Sequence, residues 1–132
     1  MTRLLLDTTF LVAVDRGGPS LDAAIGDDDD VAIAAVTVAE LRVGALLADD
    51  RHRAARAAYV DEVVDAVPVL AYDLTVAEAH ALLLAAVRAQ GRPRGAHDLI
   101  IAATAAAFGL TVVSADASAF ESLPGVEVRS HR

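Results

Sequence analysis

The chain has 132 residues, of which 55% are hydrophobic, so it is long enough for one core but short for several domains. It has no cysteine, which excludes disulfides, zinc–thiolate sites and cysteine nucleophiles. Its net charge of −8 argues against a simple basic phosphate-binding surface, unless some acids hold cations that reverse the local field. No apolar stretch reaches the ~18 residues of a membrane span, and the N-terminus does not resemble a signal peptide, so we expect a cytoplasmic protein with no membrane contact.

Predicted strands and helices alternate along the chain. From the N-terminus, the apolar pattern predicts a strand at 3–6, a helix from 8 to about 15, a brief helix at 22–25, a strand at 31–33 and helices at 37–47 and 49–65. It then predicts a strand at 67–70, helices at 75–90 and 97–108, a strand at 111–113, a short helix near Phe120 and a last strand at 126–128. This order indicates an α/β fold with a central parallel sheet of about four to five strands flanked by helices, in a single domain over residues 1–132.

Two aspartates follow predicted strands. Asp7 comes directly after the first strand, and Asp116 follows the strand at 111–113 by a short turn. Because ligands of open α/β sheets bind beyond the carboxyl ends of the strands, both carboxylates are expected at one edge if these strands are near neighbours. Each aspartate taken alone is also typical of an Asx turn or a helix N-cap.

Two further acids fall on apolar faces of predicted helices. Glu40 shares its face with Val43 and Leu47, although a capping box in which Thr37 caps the helix and Glu40 turns back is an open alternative. Asp98 lies in a first turn, where the helix dipole favours an acid, yet the rest of its face is apolar. Since an acid that faces a core is rarely left unpaired, both positions indicate a cluster.

These four carboxylates would repel one another unless a cation neutralised them. Ligation by oxygen alone suits Mg²⁺, with Mn²⁺ as an alternative, and one or two such ions could activate a water for phosphodiester hydrolysis. Thr9 and Ser114, which flank two of the acids, are predicted to orient the site through their hydroxyl groups.

Several segments resemble motifs of the PIN-domain family, and in particular of the VapC-type toxins of bacterial toxin–antitoxin pairs. These segments are LLLDTT at 4–9, ELRVG at 40–44, DLIIAATA at 98–105 and GLTVVSAD at 109–116, followed by Phe120 and a Pro-Gly pair at 124–125. Each motif is weak alone, but their order and spacing along nearly the whole chain are specific. Ser114 departs from the family's commoner Thr and keeps the hydroxyl group.

The resemblance implies a three-layer PIN-like nuclease domain and a Mg²⁺-dependent endoribonuclease with Asp7, Glu40, Asp98 and Asp116 as acidic metal ligands. It also implies a homodimer, higher toxin–antitoxin complexes and a cognate antitoxin whose C-terminal segment blocks the site, with a partner arginine in the acidic pocket. The alternative is a catalytically silent PIN-like module that binds RNA or a protein. An aspartyl-phosphate enzyme or a receiver domain is disfavoured, because the chain has no lysine to counter phosphate charge.

Two arginines stand in the loop before the helix of Asp98. We predict that Arg92 and Arg94 contact RNA phosphates, because the guanidinium group is a planar donor fork, although a merely solvated loop fits the sequence equally well. His97 neighbours Asp98, but adjacent helical residues point apart, so the pattern does not favour a catalytic role for it. The aspartates at 27–30 are interpreted as a solvated turn.

Overall fold

The computed structural model describes residues 2–18, 21 and 25–130. Within these ranges the strands are β1 (Arg3–Leu6), β2 (Asp30–Ala34), β3 (Val69–Leu70), β4 (Thr111–Ser114) and β5 (Val128–Ser130). The helices are α1 (Thr8–Asp15), α2 (Ala35–Leu47), α3 (Arg53–Ala66), α4 (Leu74–Gln90) and α5 (Ala96–Phe108), with a 3-10 turn at Ala117–Ala119. None of the described helices is long and apolar enough to cross a lipid bilayer.

The described strands form one parallel sheet in the order β3-β2-β1-β4-β5. In the central strand β1, Leu4, Leu5 and Leu6 are fully buried, which requires apolar layers on both faces because successive side chains point to opposite sides. Leu5 packs in one core with α4 and α5, while Leu4 and Leu6 pack in a second core with α1, α2 and α3. The expected α/β architecture, a parallel sheet between two helical layers, is confirmed.

The predicted start of the second long helix is wrong. Strand β2 runs into α2 without a loop, so the helix begins at Ala35 and its N-cap is Ala34, which makes no side-chain capping bond. Thr37 therefore lies inside the helix and is fully buried. The capping box in which Thr37 would cap the helix is not formed, so the carboxylate of Glu40 is available for contacts elsewhere.

Three other predicted boundaries need correction. Helix α3 begins at Arg53 rather than 49, because residues 49–52 form a turn in which the Asp49 carboxylate accepts from the His52 amide. Strand β3 is restricted to Val69–Leu70, since Pro68 has no N–H to donate to the ladder. Strand β5 is Val128–Ser130 rather than 126–128, because a turn extends to residue 126. The predicted helix at 22–25 lies outside the described residues apart from its last position.

The pairing of β1 with β4 sets the position of the candidate site. Leu6 is in register with Val113, and the amide of Asp7 donates to the Val113 carbonyl at 2.9 Å. Both strands are parallel, so their carboxyl ends meet at the same edge of the sheet. Asp7 and the segment 114–116 therefore lie next to each other, as expected from the sequence.

Candidate active site

Asp7 is a buried carboxylate at the carboxyl end of β1. Its side chain is 1% exposed, and it is also the N-cap of α1. Oδ1 accepts from the Thr8 amide at 2.8 Å, while Oδ2 accepts from the hydroxyl groups of Thr9 at 2.7 Å and Ser114 at 2.8 Å. Burial raises the pKa of Asp7, the three hydrogen bonds act in the opposite direction, and the charge of Glu40 adds to the rise. The fold thus encloses this carboxylate and gives it fixed donors.

The hydroxyl groups of Thr9 and Ser114 join the ends of β1 and β4. Their oxygens are 3.1 Å apart, and both contact the carboxylate of Asp7. The Ser114 oxygen also accepts from the amide of Asp116 at 2.9 Å, and the Thr9 oxygen accepts from the amide of Ala115 at 3.2 Å. These contacts set the course of the chain between β4 and the 3-10 turn, and therefore the position of Asp116.

Glu40 extends from α2 towards the same edge of the sheet. Its Oε1 accepts from the hydroxyl of Thr8 at 2.7 Å, and that hydroxyl also lies 3.2 Å from the Thr37 hydroxyl. Its Oε2 is 3.3 Å from Nδ1 of His97, at the start of α5. Glu40 therefore connects α1, α2 and α5 through side chains, which is a different role from the helix-capping alternative.

Asp98 has the fewest described hydrogen bonds of the four carboxylates. It is half-buried in the first turn of α5, and it accepts no hydrogen bond from any residue that the structure describes. Burial raises the pKa of Asp98, and the negative charges of Asp7, Glu40 and Asp116 raise it further, while His97 acts in the opposite direction. This carboxylate therefore lies within electrostatic reach of the other three.

Glycine before α5 leaves room for the Asp98 side chain. A Cβ atom added to Gly95, the N-cap of this helix, would lie 2.8 Å from Oδ2 of Asp98. Glu40, Gly95 and Asp98, together with Ala96 and His97, line an open depression of about 390 Å³. Because Gly95 has no side chain, the carboxylate of Asp98 is accessible from solvent on that side.

Asp116 lies on the turn after β4 and is exposed. Its Oδ1 accepts from the hydroxyl of Ser118 at 2.5 Å, within the 3-10 turn. Its backbone amide donates to the hydroxyl of Ser114 at the end of β4. The backbone of Asp116 is therefore held to the sheet, while its carboxylate is held to the turn. The sequence reasoning did not identify Ser118, which an Asp-x-Ser pattern after a strand would have indicated.

The donor set fits a hard cation, although the side chains do not form a finished metal site. Over residues 2–18, 21 and 25–130, no three acidic or histidine side chains have metal-binding geometry. In the same ranges no arginine forms an ion pair with any of the four acids. His97, 3.3 Å from Glu40, is the nearest described basic group. The four carboxylates are oxygen donors of the kind that Mg²⁺ and Mn²⁺ prefer.

The two arginines of the loop before α5 differ in their contacts. Arg92 is exposed and has no hydrogen bond or ion pair to the described part of the chain. The guanidinium of Arg94 donates instead to backbone carbonyls of the segment 118–121. The predicted RNA contact by either arginine stays a prediction, but only Arg92 has its donors free.

His97 is closer to the acids than the sequence reasoning expected. The sequence argument concerned only the neighbouring pair His97 and Asp98, whereas the contact of His97 is to Glu40, which reaches it from α2. The sequence contained no signal for this contact, since it depends on how α2 packs against α5. His97 is 59% exposed, so it lies at the rim of the depression beside Asp98.

Comparison with known proteins gives a consistent result over almost the whole chain. The family model of the PIN domain matches residues 4–126. The ribonuclease VapC4 of Mycobacterium tuberculosis is 32% identical to the chain over 126 residues, which are 96% of this chain and 95% of that protein.

Two solved structures have the same fold. The VapBC-5 structure from Mycobacterium tuberculosis, a member of the VapBC family of toxin–antitoxin systems, is 34% identical and covers 99% of this chain and 100% of its own, with a TM-score of 0.82. The VapBC2 structure from Rickettsia felis, bound to a promoter DNA fragment, covers the same shares with a TM-score of 0.89. At 18% identity, this second likeness shows the fold alone.

Proposed function

Since this chain belongs to the PIN-domain family and is a VapC-type ribonuclease toxin within it, we propose that it is a Mg²⁺-dependent endoribonuclease with Asp7, Glu40, Asp98 and Asp116 as its acidic residues. The observation that carries the proposal is the electrostatic coupling at Asp98. Burial raises the pKa of Asp98, and three acids that are far apart in sequence raise it further. They lie at the end of β1, on α2 and on the turn after β4. Such a concentration of charge destabilises the fold unless a cation neutralises it, and it is therefore expected of a metal site.

Each acid has a separate task in this proposal. Asp7, which has fixed donors, keeps one carboxylate oriented at the edge of the sheet, with Thr9 and Ser114 holding it. Glu40 and Asp116 contribute negative charge from two sides, and Asp98 offers oxygens that no described hydrogen bond engages. When bound, Mg²⁺ supplies the positive charge that polarises the scissile phosphodiester and promotes attack by water.

The RNA strand is proposed to enter through the depression beside Asp98. This opening is lined by Glu40, Gly95 and His97, and two of the four carboxylates, those of Glu40 and Asp98, face it. His97 at its rim and Arg92 in the preceding loop are the exposed groups able to contact a phosphate. With a net charge of −8, the protein requires cations at its acids before a polyanion can approach them.

The proposed function includes a cognate antitoxin, a homodimer and higher toxin–antitoxin complexes. The support is that the similar structure from Mycobacterium tuberculosis, at 34% identity, is that of a member of the VapBC family of toxin–antitoxin systems. An arginine of such a partner would fit an acidic pocket in which no described arginine pairs with the acids. Co-expression with a short protein encoded beside the gene, followed by light scattering and an RNA cleavage assay, tests the partnership: the expected complex is inactive, and a free, active chain would contradict it.

The test of the activity is cleavage of total cellular RNA by the purified protein. We expect discrete fragments with Mg²⁺, none with EDTA, and none with a folded Asp98→Asn variant. Asp65→Asn is the matched control, because Asp65 is an exposed aspartate of α3 without a described partner. Sequencing of the fragment ends identifies the substrate, and replacing Mg²⁺ by Mn²⁺ tests the metal preference.

Two outcomes would contradict the proposal. Cleavage that EDTA and Asp98→Asn leave unchanged would mean that another site or a contaminant cuts the RNA. RNA binding without cleavage, in both the wild type and the variant, would favour the catalytically silent binding module instead.

A further inference from the structure

We propose that Arg94 and Ser118 are positioning residues for the carboxylate of Asp116, with Arg94 acting through the turn that carries Ser118. This inference rests on the proposed function, since it assumes that Asp116 is part of the metal site. It also assigns to Arg94 a task different from the RNA contact that the sequence suggested. Neither residue touches the reacting atoms in this proposal.

The turn after Asp116 is held by three hydrogen bonds from one guanidinium group. Nη1 of Arg94 donates to the carbonyls of Ser118 at 3.3 Å and Ala119 at 3.0 Å, and Nη2 donates to the carbonyl of Glu121 at 2.6 Å. Two of these carbonyls belong to a 3-10 turn of only three residues, which has few backbone hydrogen bonds of its own, and the third follows shortly after it. Arg94 therefore fixes a segment that would otherwise be weakly held.

Ser118 links the turn that Arg94 holds to the carboxylate of Asp116. Its backbone carbonyl accepts from Arg94, and its hydroxyl donates to Oδ1 of Asp116 at 2.5 Å. The other oxygen of Asp116 receives no described hydrogen bond and is left for a ligand. The hydroxyl of Ser118 thus selects one orientation of an exposed carboxylate, in the way that hydrogen-bonded neighbours orient the ligands of metal sites.

Arg94 also joins the two chain segments that carry Asp98 and Asp116. It directly precedes Gly95, the N-cap of α5, and Asp98 lies in the first turn of that helix. The contacts from Arg94 to the segment 118–121 therefore fix the start of α5 relative to the turn after β4. The separation between two of the four acids depends on this link.

The same geometry argues against an RNA contact by Arg94. Bidentate binding of a phosphate uses two parallel N–H groups of the guanidinium fork. Both terminal nitrogens of Arg94 already donate to backbone oxygens, and the side chain is half-buried. A phosphate would have to displace these bonds, whereas the exposed Arg92 two residues earlier has no such contacts.

The test compares Mn²⁺ affinity, measured by electron paramagnetic resonance of the RNA-free protein, with the kinetics of RNA cleavage. Ser118→Ala is expected to weaken Mn²⁺ binding by about 10-fold or more without unfolding the protein, because it removes only a surface hydroxyl. Ser118→Thr keeps that hydroxyl and is expected to restore the affinity. Arg94→Ala is expected to act in the same direction, and Arg94→Lys is not expected to rescue it, since one ammonium group cannot reproduce a planar fork.

Two references separate this inference from the proposed function. Arg88→Ala, at an exposed arginine of α4 with no described side-chain partner, should bind Mn²⁺ like the wild type. Asp116→Asn should lose affinity; if it does not, the proposed site is wrong. If Asp116→Asn loses affinity while Ser118→Ala and Arg94→Ala bind Mn²⁺ normally, the site stands and the positioning role is overturned. A folded Arg94→Ala variant with unchanged Mn²⁺ affinity but weaker RNA binding would return Arg94 to the role of a phosphate contact.

Discussion

Asp7 and Asp98 are two carboxylates of the same candidate site, but the chain holds them in different ways. Asp7 is 1% exposed and accepts hydrogen bonds from Thr8, Thr9 and Ser114. Asp98 is half-buried, accepts none from the described residues, and is surrounded by negative charge. The pKa of each is raised mainly by burial, yet only Asp7 has donors that oppose the rise.

The difference separates the structural and the functional part of the site. The hydrogen bonds of Asp7 link the end of β1 to the end of β4, so this carboxylate stabilises the fold in addition to any role in the site. Asp98 contributes nothing comparable to stability, and its unfavourable surroundings are relieved by a cation or by a proton. In the proposed metal site, Asp7 would be a ligand that is already fixed, and Asp98 would be a ligand whose surroundings become more favourable when a cation binds.

The largest expected effect comes from removing the hydrogen-bond acceptor at Asp7. Asp7→Ala should lower the free energy of unfolding by about 2–4 kcal/mol relative to the wild type, because the N-cap is lost and two hydroxyl groups lose their acceptor, and Asp7→Asn should lose less. Asn keeps the shape and one acceptor without the charge. The measurement is urea unfolding in EDTA. The same pair of variants at Asp98 should differ little, and equal differences at the two positions would refute the distinction.

A smaller effect is expected from the cation itself. Mg²⁺ at about 100 times its Kd should stabilise the wild type by about 2.7 kcal/mol, because it binds only the folded chain. Asp98→Asn should lose most of this gain, while Asp65→Asn should keep it. Thermal unfolding with increasing Mg²⁺ tests the expectation, and equal midpoints with Mg²⁺ and EDTA in the wild type would contradict a metal site.

Gly95→Ala tests the difference between Asp7 and Asp98, because it is expected to displace the carboxylate of Asp98 and not that of Asp7. The new Cβ would lie 2.8 Å from Oδ2 of Asp98, so the carboxylate must shift, whereas the backbone of Gly95 (φ −59°, ψ 137°) is open to alanine. We expect a loss of cleavage activity of about 10-fold, since displacements of ~1 Å cost up to 100-fold, with little change in stability. Asp7 is not contacted, so an unfolded variant would be unexpected.

The smallest expected effect is on the pH dependence of stability in EDTA. Since the folded protein raises the pKa of Asp98, the folded state binds that proton more tightly than the unfolded chain. The stability from this group is fully present below its ordinary pKa and is lost as the pH rises through the raised value. Asp98→Asn, which cannot ionise, should therefore unfold at a slightly higher temperature than the wild type at pH 7 and match it at pH 3. A variant that is less stable at neutral pH would contradict this account.

The sequence predicted the elements around Asp7 and Asp98 better than those at the chain's other junctions. The helix ends at Gly91 and Gly109 are confirmed, with φ values of 65° and 66°, because glycine adopts this left-handed conformation without a Cβ penalty. The start of α2 was missed by two residues, since no capping side chain stands at Ala34. For β5, a shift of two residues preserves the alternation of inward and outward side chains, so the pattern alone does not fix the strand ends.

The contacts between distant parts of the chain were beyond sequence reasoning. The four acids were identified by their spacing and by the resemblance, and their roles stay a prediction. The approach of His97 to Glu40 and the contacts of Arg94 depend on the packing of elements that no local pattern relates. The hydrogen bond from Ser118 to Asp116 is the exception, because the two residues are only two positions apart in the sequence.

The bond between Ser114 and Asp7 joins residues 107 positions apart, and this separation has a consequence for protein synthesis. At about 5–20 residues per second, the ribosome adds Ser114 roughly 5–20 s after Asp7. Until then β1 has no β4 beside it, and the fourth acid of the proposed site has not been made. We therefore expect a nascent chain, or one abandoned before this point, to have no nuclease activity.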